Sequence, residues 1–175
     1  LQSYRKLKEL TFDSTMSDEV LNELLSYSLE KLFLNQMRDD QFDLLCRVLE
    51  RNAKLESLEM WFCPAELLKA ISTKKQLRTL SICNCECDGF VLAACISVLP
   101  ALKSLSLYDV TVSEDSVSHI VAAPQPQLTT IELELSFNID RLAFRCADVI
   151  SLLKRPNMQN ILIFQSVDVN DDDEL

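Results

Sequence analysis

Three apolar residues in the spacing Leu-x-x-Leu-x-Leu recur from one end of the chain to the other, and this recurrence limits the possible folds more than any other feature. The copies start at Leu7, Leu29, Leu55, Leu77, Leu102, Leu128 and Met158, at intervals of 22, 26, 22, 25, 26 and 30 residues. Their second and third anchors are Leu10 and Phe12, Leu32 and Leu34, Leu58 and Met60, Leu80 and Ile82, Leu105 and Leu107, Ile131 and Leu133, and Ile161 and Ile163. The pattern is plainest in the copy Leu55–Cys63. There Leu58 and Met60 alternate with Ser57, Glu59 and Trp61, the period-two signature of a strand with one buried face. A unit of about 25 residues cannot bury such a face alone, so the copies must stack, each on the next.

Between the strands the sequence predicts outer helices. After a first strand over Leu7–Asp13, Ser17-Asp18-Glu19 opens a helix with the stripe Val20, Leu21, Leu24 and Leu25. Asp39-Asp40 opens a second, with Phe42, Leu45, Cys46 and Leu49 on one face and Asn52 at its end. Pro64 falls in the first turn of a third, where its missing N–H is harmless, and Leu67, Leu68 and Ile71 complete it. Asp88 precedes the only glycine, Gly89, and a run from Phe90 to Leu99 so apolar that its helix is expected to be covered on several sides. Ser113-Glu114-Asp115 starts the fifth helix, which Pro124 and Pro126 close. The sixth strand is expected over Leu128–Leu135, with a turn at 136–138 and Asp140 capping a helix that carries Leu142, Cys146, Val149, Ile150 and Leu153. Residues 168–175 are acidic and without period, a tail or linker beyond one repeat domain at 1–167.

Seven such copies, each backed by a helix, resemble the leucine-rich repeat family in its intracellular forms: ribonuclease-inhibitor-like and cysteine-containing repeats, substrate receptors and immune-receptor sensor domains. The resemblance implies an α/β solenoid of about seven repeats, with a curved parallel sheet on the concave side and helices on the convex side. The position three after the last anchor reads Thr15, Met37, Cys63, Cys85, Val110, Ser136 and Ser166. It holds no asparagine, so it picks out no subfamily. A solenoid needs caps, and the chain opens on Leu1 rather than Met and enters its first copy within six residues with no recognisable cap, so a piece of a longer protein is expected.

Apolar residues make up 48% of the chain, enough for a continuous core, yet no apolar run approaches the roughly 18 residues that span a bilayer. No membrane segment or secretory leader is expected. The seven cysteines are odd in number, and Cys46, Cys95 and Cys146 lie at helical spacing among aliphatic residues. That usage points to buried free thiols in a reducing compartment, cytoplasmic or nuclear. Of the formal charge of −10, Asp168, Asp171, Asp172, Asp173 and Glu174 supply five, leaving about −5 for the repeat body. Such a balance argues against nucleic acid and anionic membranes, which call for clustered Lys and Arg, and favours a basic partner.

Catalysis has little to draw on. The only histidine, His119, sits at helical spacing between Val117, Ile120 and Val121, and one glycine cannot build a phosphate loop. The run Cys83-Asn84-Cys85-Glu86-Cys87 lacks the Cys-x-x-Cys pairs of structural zinc, and alternate strand residues diverge to opposite faces. No enzyme, metal or cofactor is therefore expected, with thiol-based redox sensing or catalysis at Cys83 kept as an alternative. The spacing Leu142, Cys146, Ile150 is similar to an elongin-binding box, but any core-facing helix stripe has it too.

The strand residues between and just after the anchors cannot be buried in such a stack, and should form columns about 5 Å apart on the concave face. The middle column reads Thr11, Phe33, Glu59, Ser81, Ser106, Glu132 and Leu162; the outer reads Asp13, Asn35, Trp61, Cys83, Tyr108, Glu134 and Phe164. Phe33, Trp61 and Tyr108 are expected within about 10 Å of one another there. Around them come Glu59, Phe62, Cys83, Asp109, Glu132 and Glu134. Aromatic residues ringed by carboxylates have the composition of an interface hot spot for a protein or peptide with an apolar or Arg/Lys anchor. The expected function is thus non-catalytic protein recognition by a domain that is monomeric when isolated; the family resemblance implies the reading part of a larger intracellular protein such as a ubiquitin-ligase receptor. In an alternative, Trp61 and Phe62 cover a segment of the parent chain in an autoinhibitory or scaffolding role.

Overall fold

The computed structural model describes residues 6–13, 16–86, 88–111, 114–137 and 146–167. Among these, seven strands alternate with six α-helices. The first half runs β1 (Glu9–Phe12), α1 (Asp18–Leu24), β2 (Lys31–Leu34), a 3₁₀ turn (Asp39–Gln41) leading into α2 (Phe42–Arg51), β3 (Ser57–Met60) and α3 (Ala65–Ser72). The second runs β4 (Thr79–Glu86), α4 (Gly89–Ser97), β5 (Ser104–Thr111), α5 (Glu114–Ala122), β6 (Thr130–Phe137), α6 (Cys146–Leu153) and β7 (Asn160–Val167). The seven strands form one parallel sheet in chain order, and the helices pack in the same order, α1 on α2 through to α5 on α6. None of these helices is long and apolar enough to cross a membrane.

The anchors explain the register. Leu10, Leu32, Leu58, Leu80, Leu105, Ile131 and Ile161 stand opposite one another across the sheet, as do Phe12, Leu34, Met60, Ile82, Leu107, Leu133 and Ile163. All fifteen anchors of the five inner copies are at most 3% exposed. Each buried leucine contributes about 1.5–3 kcal/mol, so the anchors dominate the energetics. In the end copies Leu7 is exposed and Leu10, Phe12, Met158, Ile161 and Ile163 are only partly buried, because each end layer has a neighbour on one side alone. The backbone repeats with equal regularity. The carbonyl after each first anchor accepts two N–H groups from the next copy, as when Glu30 O takes those of Glu56 and Ser57 at 2.7 and 3.0 Å.

Three residues before successive first anchors come Asn52, Lys74, Leu99, Gln125 and Arg155, and the carbonyl of each accepts the N–H of its anchor at 3.0–3.3 Å. Their polar side chains donate to carbonyls at or just past the helix ends, where the regular helical bonding runs out. Asn52 Nδ2 donates to Val48 O at 2.7 Å while its Oδ1 accepts the Leu29 N–H at 2.6 Å. Lys74 Nζ donates to Leu49 O, Gln125 Nε2 to Ile96 O, and Arg155 Nη2 to Val121 O and to Ala123 O at 2.8 Å. Burial pushes the pKa of both Lys74 and Arg155 down. Except at Leu99, which is apolar, this column ties a repeat to a helix end, a task for which the sequence offers no asparagine ladder.

Local signals hold at several helix starts. Ser17 Oγ accepts the Val20 N–H at 3.4 Å and Asp88 Oδ1 accepts the Phe90 N–H at 2.8 Å. Pro64, however, sits at the N-cap of α3 in extended conformation, one place before the first turn. In α2 the fully buried residues are Leu44, Leu45, Val48 and Leu49, while the expected Phe42 and Cys46 are only partly buried against the same core. Helix α4 is flanked by α3 and α5 and sends Leu92, Ala93, Cys95 and Ile96 into the core, so it is covered on several sides, yet Phe90 and Val91, and Val98 just past its end, stay exposed. In α6 it is Leu152 that is buried, while Ile150 and Leu153 are exposed. Strand β6 continues through Phe137 in place of a turn at 136. Ser113, Asp140, Leu142 and residues 168–175 lie outside the described residues.

Candidate functional site

Strand residues that alternate with the anchors emerge on the sheet face opposite the buried side chains. The middle column is in register from Thr11 through Phe33, Glu59, Ser81, Ser106 and Glu132 to Leu162. In the outer column Cys83, Tyr108, Glu134 and Phe164 stand opposite one another, and Trp61 follows directly on β3, its N–H bonded to Leu34 O at 3.0 Å. On β4 the successive outward residues Ser81 and Cys83 are small, whereas the flanking strands bring Trp61 and Tyr108. The outcome is a trough: a cavity of about 330 Å³ lined by Glu59, Met60, Trp61, Ser81, Cys83, Tyr108, Asp109 and Glu134. Trp61 is 50% exposed above it.

Two backbone irregularities shape the rim. Asn84 and Asp109 adopt left-handed φ values of 50° and 49°, which Asn and Asp tolerate better than other non-glycine residues. They occupy equivalent places, between the paired Cys83 and Tyr108 and the paired Cys85 and Val110. Strand β6 has no such residue, so the register shifts and Leu135, rather than the expected Ser136, stands opposite Val110. The extra residue breaks the alternation: Tyr108 and Asp109 both reach the open face, and Val110 still returns to the core.

A hydrogen-bond network fixes one wall. Tyr108 Oη donates to Glu132 Oε2, which also accepts from Ser106 Oγ at 3.0 Å. That bond to Glu132, with burial behind it, raises the Tyr108 phenol above its ordinary 10.0. The Cys83 thiol is also pushed up, by burial first and then by the carboxylate of Asp109, and so stays a neutral thiol. Among the described residues neither Glu59 nor Glu134 has a hydrogen-bond or ion-pair partner.

The structure thus brings together six of the residues singled out from sequence: Glu59, Trp61, Cys83, Tyr108, Asp109 and Glu134. Three fall elsewhere. Phe33 stands beside Glu59 but on β2, three strands from Tyr108, or about 14 Å, so the three rings do not share a 10 Å circle. Phe62 turns off the open face and stacks on Phe42 of α2, ring centroids 5.8 Å apart and planes at 25°. Glu132 lies outside the cavity lining and holds Tyr108 from behind. Ser81, which the sequence reading left without a role, forms the floor. Its signal was present: two small residues at successive outward positions of one strand, between strands bearing aromatics. His119 is exposed on α5, its ring 4.4 Å from that of Phe90, away from the cavity. Cys87 and the side chain of Cys85 lie outside the described residues, and among the rest no three His, Cys, Asp or Glu side chains are grouped to hold a metal ion.

No family model and no curated protein matches this chain.

Proposed function

We propose that the chain is a leucine-rich-repeat solenoid that recognises a protein or peptide through its concave sheet face and catalyses no reaction. The observation carrying this reading is Trp61, half in water above a cavity walled by aromatic and carboxylate side chains. Tryptophan and tyrosine dominate interface energetics because each buries a large, stiff surface at little entropic cost. The solenoid part of the reading is supported by strand order, which runs from β1 to β7 without the reversal of a doubly wound sheet. Glu59, Asp109 and Glu134 favour a basic partner, and the neutral thiol of Cys83 favours binding over nucleophilic chemistry. The wider role follows the resemblance: the reading part of a larger cytoplasmic or nuclear protein, such as a ubiquitin-ligase receptor.

The test is an affinity capture with the wild-type chain and a Trp61→Ala/Tyr108→Phe variant, followed by calorimetry on each purified partner. Partners of this face are expected to bind the variant at least about tenfold more weakly, the scale of losing one hot-spot residue. If every captured protein binds both forms equally, the reading is wrong.

A further inference from the structure

We infer that the cavity between Trp61 and Tyr108 is a slot for the guanidinium of one arginine side chain carried by a partner polypeptide. This rests on the recognition reading above and names what that surface reads.

Shape comes first. Trp61 follows β3 and Tyr108 is on β5, so the two walls rise about 10 Å apart, two strand spacings, over the small side chains of β4. Once each wall has its van der Waals contact of roughly 3.5–4 Å, the remaining gap admits one flat or rod-like group. The volume agrees: about 330 Å³ is at the bottom of the roughly 300–1,000 Å³ spanned by ligand pockets, suited to a single side chain. The Tyr108 wall is fixed beforehand by its bond to Glu132, so little ordering remains to be done on binding.

Charge decides the sign of the occupant. No lysine or arginine lines the cavity, whereas Glu59 on β3, Asp109 on β5 and Glu134 on β6 approach it from different sides. Glu59 and Glu134 both retain free acceptor oxygens. Geometry then separates the two cations. A guanidinium is planar, weakly hydrated and carries five N–H donors in a fork, so it can lie against an aromatic face while bonding carboxylates at its edge. An ammonium is a tightly hydrated point charge that would have to shed its water between apolar walls.

The experiment is selection of a random displayed peptide library on the wild-type chain, with counter-selection on Trp61→Ala. Synthetic peptides carrying Arg, Lys or citrulline at the shared position follow, read by fluorescence of Trp61, the only tryptophan. Selected peptides are expected to share an arginine. Lysine should bind about tenfold more weakly and citrulline more weakly still, and Glu134→Gln should weaken the arginine peptide several-fold with unchanged thermal stability. Trp61-dependent peptides without a common arginine, or a citrulline peptide equal to the arginine one, overturn the slot and leave the recognition reading standing. A library that yields no Trp61-dependent peptide overturns both.

Discussion

Asp109 shows how one backbone angle shapes the site. Its φ of 49° lies where a Cβ crowds the following carbonyl, a cost of roughly 1–2 kcal/mol that Asp offsets in part and a β-branched residue cannot. Asp109→Val is expected to lower stability by about that amount in urea denaturation, while Asp109→Gly holds or gains. Tyr108 provides a pH signature. An acid whose folded pKa lies above the unfolded one keeps its contribution below the unfolded value and loses it as pH rises through the folded value. Stability should therefore fall as pH climbs above 10.0, and Glu132→Gln should move this tyrosine's phenolate absorbance transition back toward 10.0. Trp61 has half its surface in water, so Trp61→Ala should cost only about 1–2 kcal/mol in chemical denaturation, well below the loss for a core tryptophan, although binding collapses. A loss of several kcal/mol would make the ring structural. None of these angles or partners could be read from residue types, because each depends on what the next strand brings alongside.

Among elements, the helix ends carry the test. Lys74 is 3% exposed and its ammonium donates to the carbonyl of Leu49 at the end of α2. Lys74→Met keeps the length and removes the donor, and is expected to cost about 1–3 kcal/mol with faster amide exchange in the last turn of α2. Lys54, just past the same helix, is exposed, and Lys54→Ala should stay within about 0.5 kcal/mol. Helix existence was legible in the sequence because capping hydroxyls, carboxylates and prolines act within a few residues. Which side of a helix is buried was less legible. The apolar run of α4 suggested cover on several sides, which α3, α5 and the core supply, but it did not reveal that Phe90, Val91 and Val98 would still face outward.

For the molecule as a whole, each repeat rests on its neighbours, so stability should fall from the middle toward the ends. Leu80→Ala in the fully buried fourth copy is expected to cost about 2–5 kcal/mol, and Ile161→Ala in the half-covered last copy distinctly less, by denaturant titration. Amide exchange should follow the same gradient, slowest in β4 and β5. The spacing of twenty-one apolar anchors was enough to foresee seven strands in parallel register with helices between them, because burial of a period-two face is a local demand repeated at a fixed interval. Residue type and parity also foretold that Trp61, Cys83 and Tyr108 would leave the core. The trough itself depended on the tertiary arrangement. Its floor, its width and the extra rim residue at Asp109 arise from side chains on separate strands meeting across a sheet, and distances between strands are written in no single stretch of the chain.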